Sequence, residues 1–396
     1  MPLLGLVDGA RTVSSLLTAD EWAALKSEVR RKRCRVELPC GAVGHVKTSR
    51  LGTQYFAHNA GGDGCSAGER AEHLLAKSII IAAARGVGWD AEPEHRGEGW
   101  IADVLATRGK QRIVFEVQWS PQSPDEFLTR QQRYKAEGIR CAWFARKTTG
   151  LSFPDPELPV FGLAVTDGQA HTTIEGTVMP LADAVTRLLT GRIRFRDHLA
   201  NGEPSETDLA LHLTDCYNCH KEFVVWNVLE SRVTGGCGRT LPIPDDEREM
   251  WAQTRPEADP AIVETARAAA QEHGWVPARL GLRSTQTSGT RYMAFICPYC
   301  GRTSGDYFLQ QQFRFDDPDA TATGKGPRTA VTHPHWCLAQ DDPLCRIPPQ
   351  EVIDSLPQPD GLASDPDFTV SVTPVTRQNQ RQVVADLFRP YYYPGR

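Results

Sequence analysis

The sequence predicts an α/β (α+β) fold, in which a mixed central sheet is flanked by helices and followed by a C-terminal zinc-ribbon-like domain. Two β-rich runs flank a Gly-Lys turn within residues 100–119, and a helical segment then separates them from an apolar run at 139–145. Two distant Cys-x-x-Cys pairs predict the zinc-binding part. We expect four regions, which are residues 1–65, 66–200, 206–346 and 347–396.

The composition is that of a globular protein. Hydrophobic residues make up 40% of the chain and charged residues 23%. No apolar run reaches the length of a membrane span, and the first residues lack the features of a signal peptide, so we expect a cytoplasmic protein. Because thiols stay reduced in that compartment, the eleven cysteines favour metal binding over disulfides.

The net charge of −5 is distributed unevenly along the chain. Residues 1–150 carry 22 Lys and Arg against 17 Asp and Glu, whereas the remaining residues carry 22 against 32. The basic N-terminal part is therefore the expected place of contact with a polyanion such as DNA. The acidic C-terminal half is the expected surface for a protein partner.

The N-terminal part begins with an extended arm at residues 3–13 and a helix opened by the capping box of Thr18 and Glu21. A short β-rich segment then contains scattered cysteines and histidines. Cys40, His58 and Cys65, with Cys34 or His45 as a fourth ligand, could form one tetrahedral zinc site. The alternative is a set of ordinary buried thiols, because no Cys-x-x-Cys pair defines the geometry.

A second capping box, at residues 66–69, predicts a helix and gives Glu69 a structural role. Glu72 then remains as a polar residue that could add a metal ligand or hold a water molecule, the alternative being a solvated helix face. Lys77 lies one turn after His73 and is a candidate phosphate contact, unless it is placed on the surface.

The hairpin at residues 100–119 contains the candidate metal-binding carboxylates. If Gly109 and Lys110 form the turn, paired residue numbers sum to 219, so that Asp103 faces Glu116 and Ile101 faces Gln118. Two opposed carboxylates repel each other and would weaken the sheet. A divalent metal ion with oxygen ligands offsets that repulsion, so the pattern predicts a metal site at Asp103 and Glu116.

A further helix follows the hairpin directly. Ser123 and Glu126 form its capping box, and its first turns should lie near the predicted metal. Arg130 is therefore a candidate phosphate contact. Tyr134 lies near the same face and is either a substrate contact or a core residue. The apolar run at 139–145 predicts a strand parallel to its neighbour.

The C-terminal half contains the two Cys-x-x-Cys pairs, Cys216 with Cys219 and Cys297 with Cys300. Four thiolates in two such turns form a closed tetrahedral zinc site, which stabilises structure rather than catalysing a reaction. We interpret the residues between the pairs, including a helix at 259–273, as an insertion.

Other cysteines and histidines of this half could form a second zinc site. Its candidate ligands are Cys237, His335 and Cys337, with His333 and Cys345 nearby. The alternative is a set of ordinary thiols and loop histidines. Residues from 348 onward are expected to form an extended tail.

An ordered set of residues between positions 40 and 146 resembles a known family. The set comprises Tyr55-Phe56-Ala57-His58, Cys65, Glu72-His73, Lys77, Asp103, Glu116-Val117-Gln118, Ser120, Phe127, Arg130, Tyr134 and Trp143. In order and spacing it resembles the competence protein CoiA-like family, a branch of the PD-(D/E)xK nuclease superfamily. The resemblance implies a restriction-endonuclease-like core with Asp103 and Glu116 as metal ligands. Gln118 falls where the superfamily has lysine, a replacement found in this branch.

The resemblance implies a Mg²⁺- or Mn²⁺-dependent DNA endonuclease that acts in competence, recombination or defence against foreign DNA. Gln118 cannot act as a base, so the metal ion would lower the pKa of the attacking water, with Glu72 as a candidate proton acceptor. The competing hypothesis, motivated by the missing lysine, is a non-catalytic zinc-containing adaptor that binds DNA with a retained nuclease fold.

Overall fold

A seven-stranded sheet forms where the sequence predicts the mixed central sheet. The computed structural model describes residues 2–58, 69–147, 154–200, 202–243, 256–284, 291–338 and 344–345. The predicted zinc ligand Cys65 and the predicted tail lie outside these residues. The described part contains six helices and twenty strands.

The helices are α1 (Ala19–Arg30), α2 (Ala71–Gly86), α3 (Pro124–Ala136), α4 (Leu181–Thr190), α5 (Pro260–Glu272) and α6 (Asp306–Phe315). The first twelve strands are β1 (Leu4–Val7), β2 (Ala10–Val13), β3 (Val36–Glu37), β4 (Gly44–Thr48), β5 (Gln54–His58), β6 (Asp90–Gly97), β7 (Trp100–Arg108), β8 (Gln111–Gln118), β9 (Arg140–Ala145), β10 (Val160–Thr166), β11 (Gln169–Ile174) and β12 (Thr177–Pro180). The remaining strands are β13 (Ile193–Leu199), β14 (Pro204–Asp215), β15 (Glu222–Thr234), β16 (Thr240–Pro242), β17 (Arg279–Ser284), β18 (Arg291–Ile296), β19 (Ala320–Arg328) and β20 (Val331–Leu338).

The central sheet has the strand order β12-β11-β10-β9-β8-β7-β6. Strand β9 runs parallel to both β8 and β10, whereas the other neighbours are antiparallel. A parallel neighbour requires a crossover, and α3 supplies it between β8 and β9. The predicted strand–helix–strand unit is therefore confirmed, in a sheet that is mixed and mostly antiparallel.

The hairpin of β7 and β8 has the predicted two-residue turn. Gly109 adopts a φ of 60°. The residue pairs from Arg108 with Gln111 to Val104 with Phe115 have the predicted register, in which the two residue numbers sum to 219. The ladder between β7 and β8 ends at Val104, so the predicted pair of Asp103 and Glu116 lies just beyond it, with the two side chains still adjacent. The carboxylate of Asp103 accepts the N–H of Val117 at 2.9 Å, in place of a backbone carbonyl.

Helices pack on both faces of the sheet. Leu74 of α2 shares a hydrophobic core with Phe115, while Phe127 of α3 packs against Trp143 in a separate core. Neighbouring residues of a strand point to opposite faces, so β8 contributes Val114 to one core and Phe115 to the other. Helix α4 joins α2 on its face. The end of β8 therefore lies between α2 and α3.

The capping boxes at Thr18 and Ser123 are confirmed, each with its glutamate on the N-cap backbone. The capping role predicted for Glu69 is wrong. Helix α2 begins at Ala71 after Arg70, which has no side-chain cap, so Glu69 precedes the helix. Its carboxylate instead accepts a hydrogen bond from Lys77.

A second sheet, with the order β16-β15-β14-β19, forms the C-terminal part together with α5. Asp259 caps α5 by accepting the N–H of Ala261. Ile262 and Ala266 of α5 lie in one core with Trp226 of β15. The segment between the cysteine pairs therefore packs into the core of this part, and our interpretation of it as an insertion into a zinc ribbon stays a prediction.

Shorter sheets complete the described structure. The predicted N-terminal arm is a hairpin of β1 and β2 with β3 beside it, while β4 pairs with β5, β13 with β20, and β17 with β18. All described residues lie in one compact unit, Met1–Pro349. The division into four regions stays a prediction. None of the described helices is both long and apolar enough to cross a membrane.

Two adjacent residues of α3 test the packing of this helix. The side chain of Phe127 is 1% exposed and that of Leu128 is 43% exposed. Phe127→Ala should lower the free energy of unfolding by about 3–5 kcal/mol through cavity formation. Leu128→Ala should change it by about 0.5 kcal/mol or less. Urea denaturation measures both, and equal effects would contradict the described orientation of α3.

Candidate functional site

Two acidic residues lie together where β7 and β8 meet the helices. Glu116 is 1% exposed, and the structure places it within hydrogen-bonding reach of Asp103. Asp103 contacts residues of α2, whereas Glu116 contacts residues of α3. The site is therefore built around the strand ends, with one helix on each side.

The carboxylate of Asp103 is surrounded by positive charge and hydrogen-bond donors. Its Oδ2 lies 3.2 Å from Nε2 of His73 and accepts the N–H of Val117, while its Oδ1 lies 3.8 Å from Nζ of Lys77. Burial alone would raise the pKa of Asp103, but His73, Lys77 and Val117 together hold it well below its usual range. Asp103 is therefore an anion and a suitable metal ligand.

Lys77 is fully buried and forms the positive centre of the site. Its ammonium group donates to Glu69 Oε1 at 3.1 Å and to the carboxylate of Glu94, and it faces Asp103. Burial alone would lower the pKa of Lys77, but these carboxylates, Glu94 first, raise it above its usual value. A buried, paired lysine neutralises acidic residues, and this placement does not agree with the predicted phosphate contact.

Glu69 and His73 are site residues that the sequence analysis did not assign. With Asp103 they form a group whose possible ligand atoms all lie within 4.8 Å of one another. The signal that could have revealed them is spacing, since Glu69, His73 and Lys77 recur at intervals of four residues. The capping-box pattern obscured this signal by assigning Glu69 to the helix start.

Glu116 is bound by two residues of α3. Arg130 Nη2 donates to its Oε2 at 2.6 Å, and the Tyr134 hydroxyl donates to its Oε1. The Arg130 guanidinium also stacks over Trp143, 4.6 Å from the ring centroid. Burial and then the negative charge of Asp103 raise the pKa of Glu116 to about 8. Tyr134 is buried, so it orients Glu116 from within the core.

The Gln118 amide is fixed in orientation. Its Nε2 donates to the Ser120 carbonyl at 2.8 Å, and its Oε1 accepts from Arg130 Nη1 at 3.3 Å. Arg130 therefore connects Gln118 to Glu116. Because an amide is neutral, Gln118 brings no positive charge to the end of β8.

Glu72 does not join these residues. Its carboxylate forms an ion pair with Arg50, in the segment between β4 and β5. The predicted Glu72 ligand or proton acceptor is thus on a different face of α2 from His73. Glu69, three residues earlier in the chain, contributes a carboxylate to the site instead.

Glu94 of β6 is a further residue that the sequence analysis missed. Its backbone has a φ of 49°, and its carboxylate accepts the N–H groups of Leu3 and Leu4 at 3.2 and 3.0 Å. The same carboxylate accepts from Lys77. Glu94 therefore links the N-terminal hairpin to the buried lysine. We find no sequence pattern that indicates this contact.

Both sets of predicted C-terminal zinc ligands come together. Cys216, Cys219, Cys297 and Cys300 form one group, with Sγ–Sγ distances of 3.5 Å for Cys216–Cys300 and 3.7 Å for Cys219–Cys297. A second group joins the predicted Cys237, His335 and Cys337 to Cys345. In the N-terminal part, Cys40 Sγ lies 3.9 Å from His58 Nε2.

The first cysteine group suits a thiolate-bound metal. Burial opposes ionisation of Cys216, but the N–H groups of Cys219 and Asn218 lower the pKa of its thiol to about 6. Backbone N–H groups directed at a sulfur atom stabilise the thiolate form that binds metal. The donor set therefore fits zinc.

The comparison with protein families identifies the part of the chain that carries the carboxylate site. Residues 69–150 match the family described as competence protein CoiA, nuclease-like domain. The match spans a fifth of the chain and extends from Glu69 past the end of β9, so it includes the whole carboxylate site. No curated protein and no solved structure gives a significant match.

The resemblance found in the sequence is thereby confirmed for this domain. The nuclease-like domain comprises α2, strands β6 to β9 and α3. Both cysteine-rich groups of the C-terminal half lie outside it. A nuclease-like domain points to interaction with nucleic acid, and the carboxylate site lies at the strand ends of this domain.

Lys77→Met tests the charge balance of the site. The substitution keeps the length of the side chain but leaves Glu69, Glu94 and Asp103 without their shared positive charge. We expect the free energy of unfolding to fall by about 3–5 kcal/mol in the presence of a chelator. Urea denaturation provides the measurement, with the exposed Lys110→Met as the control. A loss within about 1 kcal/mol of the control would contradict the proposed role of Lys77.

Proposed function

We propose that the chain is a metal-dependent DNA nuclease whose active site contains Asp103 and Glu116 in a PD-(D/E)xK-like core. The observation that carries the proposal is that the buried Glu116 lies beside the partly buried Asp103, at the strand ends of a nuclease-like domain. Burial and then the negative charge of Asp103 raise the pKa of Glu116, and a divalent cation would offset the cost of ionising it.

The side chains present fit a divalent metal ion. Asp103 and Glu69 offer oxygen atoms, His73 offers an imidazole nitrogen, and Glu116 adjoins Asp103. Oxygen ligands suit Mg²⁺ and Mn²⁺, while imidazole favours the transition metal, so this donor set favours Mn²⁺. Such an ion would supply Lewis-acid activation of water and neutralise charge on the phosphate.

The neighbouring residues have distinct roles in this proposal. Tyr134 and Arg130 orient Glu116, and the Arg130 side chain, which is partly exposed, also binds the phosphate that enters beside it. Gln118 positions the attacking water or the phosphate through its fixed amide. Lys77 helps to keep Asp103 ionised from the buried side and pairs with Glu69.

DNA is the substrate that we propose, cleaved within the strand. The match to a competence-type nuclease-like domain and the basic excess of residues 1–150 support this choice. Processing of incoming DNA, in competence and recombination or in defence, is the biological setting that fits. We also propose a structural Zn²⁺ at Cys216, Cys219, Cys297 and Cys300, in the acidic half that would bind a protein partner.

One observation favours a non-catalytic DNA-binding adaptor as the second candidate. Gln118 carries no charge, and Lys77, which lies 3.8 Å from Asp103, is buried and paired with carboxylates. Neither side chain can offer a free ammonium group to the substrate. An adaptor would bind DNA through its basic residues and leave it intact.

Asp103→Ala and Glu116→Ala test the nuclease proposal. Each variant should reduce cleavage of plasmid DNA on the order of 100-fold or more, because each removes a carboxylate that would hold the metal ion at the reacting phosphate. Gel electrophoresis with Mg²⁺ or Mn²⁺ provides the measurement. Glu98→Ala, at an exposed position before β7, is the matched control and should keep the activity.

Cleavage that survives both substitutions would refute the assignment of the site. An unaltered substrate with wild-type protein in both metals, together with binding that weakens as salt increases, would favour the adaptor. The same preparations serve for both assays. The outcome therefore separates loss of catalysis from loss of DNA binding.

His73→Ala tests the metal preference. If the imidazole is a ligand, the variant should bind Mn²⁺ about 10–100-fold more weakly, and the change for Mg²⁺ should be smaller. Metal titrations of the cleavage rate measure both effects, with His171→Ala on β11 as the control. Equal losses in the two metals would show that His73 acts on Asp103 rather than on the metal ion.

A further inference from the structure

A second metal-binding group lies outside the nuclease-like domain, where elements distant in sequence meet. Cys237 lies in the turn between β15 and β16, His335 and Cys337 are on β20, and Cys345 follows that strand. The ligand atoms of all four residues lie within 4.8 Å of one another. His335, Cys337 and Cys345 are almost completely buried.

The distances within this group agree with tetrahedral coordination. The Sγ atoms of Cys345 and Cys237 are 3.7 Å apart, and Cys237 Sγ is 3.8 Å from His335 Nε2. Zinc with Zn–S bonds of about 2.3 Å and Zn–N bonds of about 2.0 Å separates such atoms by about 3.8 and 3.5 Å. A disulfide would instead require sulfur atoms about 2.05 Å apart.

The histidine is prepared for metal binding by its backbone contact. His335 Nδ1 lies 2.7 Å from the carbonyl oxygen of His333, so Nδ1 carries the proton and donates it. Nε2, the other ring nitrogen, faces the cysteines and is the atom that can bind a metal ion. Metal-binding histidines are commonly held in this way by a hydrogen bond from the other ring nitrogen.

The backbone around the sulfur atoms is equally specific. The N–H of Cys345 donates to Cys337 Sγ at 3.3 Å, a contact that stabilises a thiolate. Gly235 lies so close that an added Cβ would be 2.7 Å from Cys345 Sγ and 2.5 Å from Leu199 Cδ1. Glycine is therefore required there for the chain to approach the cysteines.

This group also adjoins the central sheet. Trp336, between the two ligands of β20, packs edge-on against Phe161 of β10 at 5.3 Å. The backbone N–H of Trp336 donates to Oε1 of Glu175, which lies in the turn between β11 and β12. Arg239, two residues after Cys237, donates to the Glu175 carboxylate at 3.2 Å and to its carbonyl. Both ligand-bearing segments thus contact one residue of the sheet.

We propose that Cys237, His335, Cys337 and Cys345 bind one Zn²⁺ ion, which clamps the 235–239 turn and β20 onto Glu175 of the central sheet. Three thiolates and an imidazole are a donor set typical of structural zinc, and four protein ligands leave no open position for catalysis. The ion therefore stabilises the junction between the nuclease-bearing sheet and the C-terminal part. This site is separate from the proposed nuclease centre and from the four-cysteine group.

Metal analysis of the full chain tests the ligands. Cys345→Ser and His335→Gln should each hold one zinc equivalent fewer than the wild type. Cys300→Ser should lose the equivalent of the other group, and Cys141→Ser, a buried cysteine outside both groups, should lose none. Wild-type zinc content in both Cys345→Ser and His335→Gln would overturn the proposal.

A measurement on the wild type keeps the test independent of variant folding. Crystals grown with zinc should give an anomalous difference peak, at the zinc absorption edge, between the four ligands. Clear electron density for the four ligands without an anomalous peak between them would overturn the site, even if the four-cysteine group is occupied.

Hydrogen exchange tests the clamp separately from the metal. Removal of zinc by a chelator should accelerate amide exchange in residues 169–180 and 331–338, while α2 remains protected. Glu175→Gln should accelerate exchange in 331–338 with the zinc content of the wild type, because it weakens only the sheet side of the contact. Unchanged exchange in 169–180 after zinc removal would refute the clamp and leave a purely local metal site.

Discussion

The buried charge cluster around Lys77 is the constraint on which the nuclease-like domain depends. One ammonium group faces the carboxylates of Glu69, Glu94 and Asp103 in the interior. In such surroundings an unpaired charge costs several kcal/mol, so each member is tied to the others. Because Glu94 also binds the backbone of β1, the cluster joins the N-terminal hairpin, α2 and the central sheet.

The site acquires its chemistry from the two helices that approach the same strand ends. Helix α2 supplies His73 and Lys77, which favour the anionic form of Asp103. Helix α3 supplies Arg130 and Tyr134, which hold Glu116 by hydrogen bonds. Two adjacent carboxylates are thus kept in different environments, so that their pKa values move apart, as is common at functional sites.

Local patterns in the sequence predicted the parts of the fold that depend on neighbouring residues. Turn chemistry at Gly109, capping at Ser123 and the apolar run of β9 each act over a few residues, and all three are confirmed. The same kind of reasoning was wrong for Glu69, because this residue pairs with the buried Lys77 instead of capping the helix that the local pattern predicted. It missed Glu94, whose partners Leu3 and Lys77 lie far away in the chain.

The sequence by itself determined the mixed sheet, the domain resemblance, the acidic pair of the hairpin and the two Cys-x-x-Cys pairs, because periodicity and spacing are written in the chain. Only the tertiary structure decided that Glu69 and His73 join Asp103 while Glu72 turns to Arg50. It also decided that Cys345 completes the second cysteine group. Such contacts depend on how elements pack across long sequence separations, where burial and charge balance override local preference.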